Sequence, residues 1–261
     1  MKERGEEALR VHSRLLKCGL EVESSREYWS RSMEAEQIGA RRAFDEYWFG
    51  ARSLSRTKVI IAEMKKRYGA YPTAFEALRI LPSLLPRMRL LICHWHLQLT
   101  DPLYRSFTGE KLPERRSGCR AEVTLEVVDE WLRERVGKRW SSSTRALYVS
   151  KLLSAAFQAG LIGGKRDPRQ LIVPRVPDDA LEYLLYLLKD VQFEGTLFDN
   201  PYVRSLGLDP SQIDYRVRRL PGIALKRQGT LCDFDWKYTD LIAWANAKAP
   251  SPKARAAGRR G

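Results

Sequence analysis

Ser141, Ser142, Ser143, Thr144 and Arg145 follow directly on Lys138, Arg139 and Trp140. Short hydroxyls and cations at the start of a helix are groups that hold phosphate oxygens. The helix N-terminus adds unpaired backbone N–H groups, which also favour an anion. A second cluster of this kind is Arg52, Ser55, Arg56, Thr57 and Lys58, and a third is the Gly164-Lys165-Arg166-Asp167-Pro168 turn. Residues 137–176 carry eight basic side chains (Lys138, Arg139, Arg145, Lys151, Lys165, Arg166, Arg169 and Arg175) and one acid, Asp167, which is +7 in 40 residues. Residues 50–68 carry six basic side chains against Glu63, whereas residues 1–36 hold seven basic and eight acidic. The positive charge is therefore concentrated. A basic helix face can also be plain solvated surface, so the concentration alone leaves that reading open.

Other chemistry finds few residues to work with. The histidines are His12, His94 and His96. His94 and His96 stand two apart, so on a helix they point in different directions and cannot chelate as an i, i+4 pair does. Cys93 beside them makes a metal site conceivable, but satisfied, partly buried side chains are the plainer expectation. Asp233 and Asp235 fall on one face of a strand, yet no third acid or lysine stands near them to complete a metal-dependent nuclease. Phe234 and Trp236 are expected to seal a core rather than stack on a base. Neither Gly-x-x-x-x-Gly-Lys-Ser/Thr nor Gly-x-Ser-x-Gly occurs. No nucleophile, base and orienter can be assembled from the sequence, so a non-enzymatic protein without metal, cofactor or small-molecule substrate is expected.

The chain has 261 residues, 46 Lys plus Arg against 32 Asp plus Glu, and a net charge of +14. The length suggests about two domains, or one large one. With 44% hydrophobic residues and 26 aromatics it can bury a core and is not disordered as a whole. The charge favours a polyanionic partner, above all nucleic acid. Cysteines at 18, 93, 119 and 232 have no zinc-site spacing. Scattered thiols behind a charged N-terminus without a secretory leader fit a reducing cytoplasm. The most apolar stretch, Ile80 to Leu99, is broken by Pro82, Pro86, Arg87 and Arg89 and reads as buried helices rather than a membrane span.

The elements that must position the cationic clusters read as mainly α. Residues 1–23 are a mixed-charge lead-in, and Glu34 to Tyr68 is helical, broken at Gly50 and recapped at Ser53 or Ser55. Helices follow at Ala74–Leu81 and Leu84–Leu99. Leu112 to Arg120, with Pro113 and Gly118, reads as a polar connector and a soft boundary. Thr124 opens a helix to Val136 in a loose capping-box pattern, and Gly137 closes it. A helix over Thr144–Ala159 buries Val149, Leu152, Leu153, Ala156 and Phe157, and leaves Thr144, Tyr148, Lys151 and Gln158 on its other side. Leu161 to Val173 has the chemistry of a hairpin. Helix, tight turn, helix and basic-tipped hairpin is the order of a winged helix-turn-helix, whose second helix enters the major groove. The order repeats with an apolar helix capped by Asp178-Asp179, a middle helix at Pro201–Leu206, a third at Gln212–Leu220, and a hairpin from Leu220 to Trp236 with Lys226 and Arg227 near its tip. A closing helix covers 237–247. The division expected is a helical domain at 1–117, a tandem winged-helix-like domain at 118–247, and a disordered basic tail at 248–261.

Several stretches make the sequence familiar: ARSLSRTKVIIAEMKKRY, PLYRSFTGEKL, VTLEVVDEWLRERVGKRWSSSTRALYVSKLLSAAFQAGLIGG, IVPRVPDDALEYLLYLL and DFDWKYTDL. Together they resemble the BrxA family of BREX phage-defence systems over most of residues 40–245. The Trp-Ser-x-Ser-Thr-Arg helix start is the most specific part. The resemblance implies a small non-enzymatic helical protein with winged-helix-like modules that binds double-stranded DNA. It would act beside the other BREX proteins: a methyltransferase, a phosphatase-like protein and a large ATPase. Family members have often carried an inner-membrane label, against which the broken apolar stretch argues. The residues expected at the nucleic acid are Arg52, Ser55, Arg56, Lys58, Lys138, Arg139, Ser143, Thr144, Arg145, Tyr148, Lys151, Lys165 and Arg166. Two alternatives stay open: an adaptor that docks other defence subunits, and an RNA-binding helical protein.

Overall fold

The structure is a computed structural model and describes residues 4–32, 39–81, 84–228 and 231–249, with the side chains at 227, 228, 231 and 232 excepted. The expected helix start at Glu34, the Gly229-Thr230 hairpin turn, the Arg227 side chain and the tail from residue 250 lie outside the described residues.

Strand β1 (Gly5–Glu6) leads through a short 3-10 turn at Arg14–Leu16 into α1 (Val22–Arg31). Helices α2 (Ala40–Asp45), α3 (Leu54–Gly69), α4 (Pro72–Ile80) and α5 (Pro86–Thr100) follow. Ser53 is the cap of α3, accepting the Arg56 N–H. Then come α6 (Pro102–Ser106), a π-helical turn at Phe107–Lys111, and α7 (Leu112–Ser117). The polar connector expected at 112–120 is therefore mostly helix. Pro113 is its second residue, and the helix runs on directly from the π turn, with the Leu112 N–H on the Phe107 carbonyl. Gly109 lets the π turn press on the next layer, since a Cβ there would lie 2.5 Å from Pro201 Cβ.

Strand β2 (Glu122–Val123), α8 (Leu125–Val136), α9 (Ser142–Gln158) and β3 (Arg169–Gln170) form the next unit. The last unit is α10 (Asp178–Lys189), β4 (Val191–Gln192), α11 (Pro201–Arg204), α12 (Pro210–Val217), the hairpin β5–β6 (Ile223–Gln228, Leu231–Trp236) and α13 (Leu241–Lys248). The cap of α10 is Pro177, with Asp178 and Asp179 in its first turn, where the helix dipole favours them.

Helices α5 and α10 have no polar side: Leu91 to Leu99 and Ala180 to Leu188 are buried throughout. Helix stretches buried all round belong at the centre. The two touch there, with the rings of Trp95 and Tyr183 stacked at 6.4 Å. One apolar cluster runs from Leu15 to Ala245. Contacts cross residue 117 repeatedly: β1 pairs in parallel with β4, and α13 packs on α4. Glu182, fully buried on α10, accepts the Gly222 N–H at 2.7 Å and the Trp244 Nε1–H at 2.9 Å. Lys248, expected in the tail, instead ends α13 with its ammonium between Asp179 and Glu182.

Candidate nucleic-acid interface

The second unit of the chain has the order helix, turn, helix and basic-tipped hairpin that the sequence suggested. Thr124 caps α8 by accepting the Val127 N–H, and Gly137 ends it at φ +56°, a conformation that favours glycine. The 3-10 turn Gly137–Arg139 exposes Lys138 and Arg139, and no carboxylate partner for either is found among the described residues. Ser141 caps α9 through the Thr144 N–H at 3.2 Å and bonds the Ser143 and Thr144 hydroxyls. Trp140 leans on Tyr148 at 4.8 Å.

After α9 the chain forms the wing. Ile162 bridges Leu171, with the Gly163 N–H on the Gln170 carbonyl at 2.7 Å and the Ile172 N–H on the Leu161 carbonyl at 2.8 Å. On its other edge β3 pairs antiparallel with β2, Glu122 opposite Gln170. Residues 169–172 are thus the middle strand, and residues 164–168 form the tip. Asp167 anchors that tip by accepting the Leu125 N–H at 2.7 Å and pairing with Arg169 at 2.9 Å. With Asp167 so engaged, Lys165 and Arg166 stand exposed without a carboxylate partner among the described residues. Lys165 hovers 5.9 Å from the Phe157 ring.

Helix α9 divides cleanly. Val149, Leu152, Leu153 and Ala156 are buried and Phe157 half-buried, each large one worth about 1.5–3 kcal/mol to the fold. Ser142, Ser143, Ala146, Leu147, Ser150, Lys151, Ser154 and Gln158 are exposed.

Two expected contacts, Tyr148 and Arg145, are corrected by this geometry. Tyr148 is fully buried and donates its hydroxyl to both carboxylate oxygens of Asp101 at 3.0 Å. It extends the apolar stripe through Leu152, Ala155 and Ala159 at i+4, i+7 and i+11 rather than facing solvent, and is withdrawn from the interface. Arg145 turns back onto α8, where its Nε lies 3.5 Å from Asp129, and only 18% of its side chain is exposed. Lys151 is exposed but borders a groove of about 530 Å³ whose opposite wall carries Glu21 and Glu23.

The α3 cluster is also divided. Arg52, Ser55 and Lys58 are exposed, while Arg56 binds the Lys17 carbonyl and the Glu21 carboxylate. Thr57 is buried on the Ser53 carbonyl. Residues 14–24 lie between the two clusters, touching α9 on one side and held by Arg56 on the other. Of the expected residues, Lys138, Arg139, Ser143, Lys165 and Arg166 share the winged unit's open surface, with Thr144 half-buried at the helix start.

Asp101, which receives Tyr148, caps α6 and lies 3.8 Å from His12. Burial pushes its carboxyl up, against the pull of His12 and the hydrogen bonds from Tyr104 and Tyr148. Ser205, His94 and Tyr104 form a chain the sequence did not reveal: Ser205 Oγ is 2.9 Å from His94 Nε2, and His94 Nδ1 is 2.8 Å from the Tyr104 hydroxyl. The order mimics nucleophile, base and orienter. The Ser205 proton, however, goes to the Tyr202 carbonyl, all three side chains are fully buried, and burial lowers His94 to about 3. The set ties α5, α6 and the end of α11 together. His96 turns to the Tyr183 hydroxyl, away from His94. Among the described residues no group of three His, Cys, Asp or Glu side chains could hold a metal, and no helix is long and apolar enough to cross a membrane.

The last unit is more nearly charge-balanced. Arg216 pairs with Asp178, Arg218 with Asp214, and Lys226 with Asp235. Phe234 and Trp236 stack at 5.6 Å and reach Phe198 and Tyr186, closing the unit as expected.

No family model and no curated protein matches the sequence. Among solved structures, the chain is similar in fold to an uncharacterized protein from Magnetospirillum magneticum. The TM-score is 0.58 at 14% identity, over 76% of this chain and 98% of that one. The likeness extends to the fold, which is mainly helical with a few short strands in small sheets.

Proposed function

We propose that this protein is a non-enzymatic, duplex-DNA-binding component of a bacterial BREX defence system. It grips phosphates with the turn before α9 and with the wing after it. The observation that carries the reading is the pairing of two unneutralised cation pairs, Lys138–Arg139 and Lys165–Arg166, with the two ends of α9. The span from residue 142 to 157 is roughly 20 Å of helix. That exceeds the ~12 Å major groove, so cations at both ends reach phosphates on the strands that border it. Ser143 adds a hydroxyl, while Arg52, Ser55 and Lys58 offer a second, separate phosphate contact. The defence role and the methyltransferase, phosphatase-like and ATPase partners rest on the sequence resemblance.

An anisotropy titration with a short random-sequence duplex, at about 50 and about 200 mM salt, tests the reading. Binding that weakens steeply with salt and resists competition by structured RNA supports it, and no binding at the lower salt overturns it. A second reading, the subunit adaptor, is favoured by exposed Leu85 and Val173, on segments tied by the Arg87 bond to the Arg175 carbonyl. Partner subunits that stay bound after nuclease treatment would support it.

A further inference from the structure

The outer face of α9 that would enter the groove carries an unusual set of side chains. Its first three turns expose Ser142, Ser143, Ala146, Leu147 and Ser150. Leu147 is 62% exposed. The serines and alanine beside it are short, so Leu147 stands above them. Arg145, the one residue here able to clasp a guanine with two hydrogen bonds, is turned onto Asp129. Leu147 sits five residues into the helix, about 7.5 Å along its axis from Ser142, between the two cation pairs. Phosphates held at both ends would therefore bring base edges, rather than backbone, to its side chain.

On this basis, which rests on the DNA-binding reading above, we propose that α9 selects methyl-bearing pyrimidines: Leu147 contacts the C5-methyl of thymine in the major groove. An apolar side chain on a thymine methyl is a standard form of base readout. Small flanking side chains let the helix backbone approach the groove floor. The exposed leucine of α9 is then the sequence-reading group, and the cations around it the sequence-blind ones.

The test compares duplexes of one A·T-rich sequence containing either thymine or deoxyuridine, which differ only in the methyl group. Affinity should fall about fourfold for each contacted methyl removed, the effect of losing one buried methyl-sized group. Leu147→Ala, an exposed site whose change leaves the core intact, should bind both duplexes alike and keep the wild-type salt slope. Replacing cytosine by 5-methylcytosine at random positions should strengthen wild-type binding. Equal wild-type affinity for the thymine and deoxyuridine duplexes overturns this inference and leaves DNA binding standing. So does a deoxyuridine penalty that survives in Leu147→Ala. No binding to any duplex overturns the reading beneath it.

Discussion

Arg145 Nε lies 3.5 Å from Asp129 Oδ1, across the turn that joins α8 to α9. The ion pair takes the most promising base-reading side chain of the second helix and lays it along the first. It holds the two helices in register and leaves recognition to the residues around it. Removing the carboxylate both frees the guanidinium and deletes a negative charge beside the proposed interface. Asp129→Asn should therefore tighten duplex binding several-fold at low salt, with a loss of stability under about 1 kcal/mol, since the pair is partly exposed. Anisotropy titration and urea denaturation read the two effects. Unchanged affinity would mean that Arg145 cannot reach the DNA even when released.

Tyr148→Phe separates structure from binding at a neighbouring position. The hydroxyl gives Asp101 a donor inside the core, and its loss leaves the carboxyl underbonded. A cost of about 1–3 kcal/mol in unfolding free energy is expected, with duplex affinity unaltered once the protein is folded. Weakened binding at full stability would return Tyr148 to the interface.

Acid should destabilise the fold in a definite window. Burial holds His94 and His96 at about 3, below their ordinary 6.5. The unfolded chain takes up these two protons as pH falls below 6.5, and the folded chain does not. Their contribution is thus complete above 6.5 and is lost as pH falls toward 3, at up to about 1.4 kcal/mol per pH unit for each histidine. Asp101 runs the other way, because its raised carboxyl keeps a proton that the unfolded chain releases. In chemical denaturation at pH 7, 6 and 5, His94→Gln should flatten the slope by roughly one histidine's share. A slope identical to wild type would contradict the assignment.

Glu182 makes the closing helix part of the body. Its carboxylate gathers the Gly222 N–H, Trp244 Nε1–H and the Lys248 ammonium. Glu182→Ala strands the groups it satisfies and should cost about 3–5 kcal/mol. The loss should extend to α4, against which α13 packs, seen as faster amide exchange over residues 72–80. Exchange confined to α13 would show that the closing helix is an independent appendage.

Much of the fold is legible in the residues. Periodicity places α3, α8, α9 and α10 to within a few positions, and Ser53 and Thr124 cap α3 and α8 as their chemistry suggests. The wing is readable from Gly163 to Pro168. Long-range pairing is not. Nothing local says that Tyr148 will meet Asp101, 47 positions away, or that Glu7 will pair with Arg105. A tyrosine at i−4 from Leu152 fits the buried stripe, but its hydroxyl argues for the surface until a buried acceptor is known. Arg145 and Arg56 read as free cations in the sequence because a carboxylate on another element is invisible to charge counting along one segment. Leu147 escapes notice because an isolated leucine on a helix carries no signal until the surface around it is known.

The salt dependence of duplex binding, compared between wild type and a variant with Lys165→Ala and Arg166→Ala, tests the central claim most directly. Each cation withdrawn from a phosphate should lower the slope of log K against log salt by about 0.9, so the double variant should bind more weakly with a slope shallower by about 1.8. Removing Lys138 and Arg139 in the same way should add to the effect. Affinity and slope unchanged in both variants would contradict the account and place any bound DNA on another face of the protein.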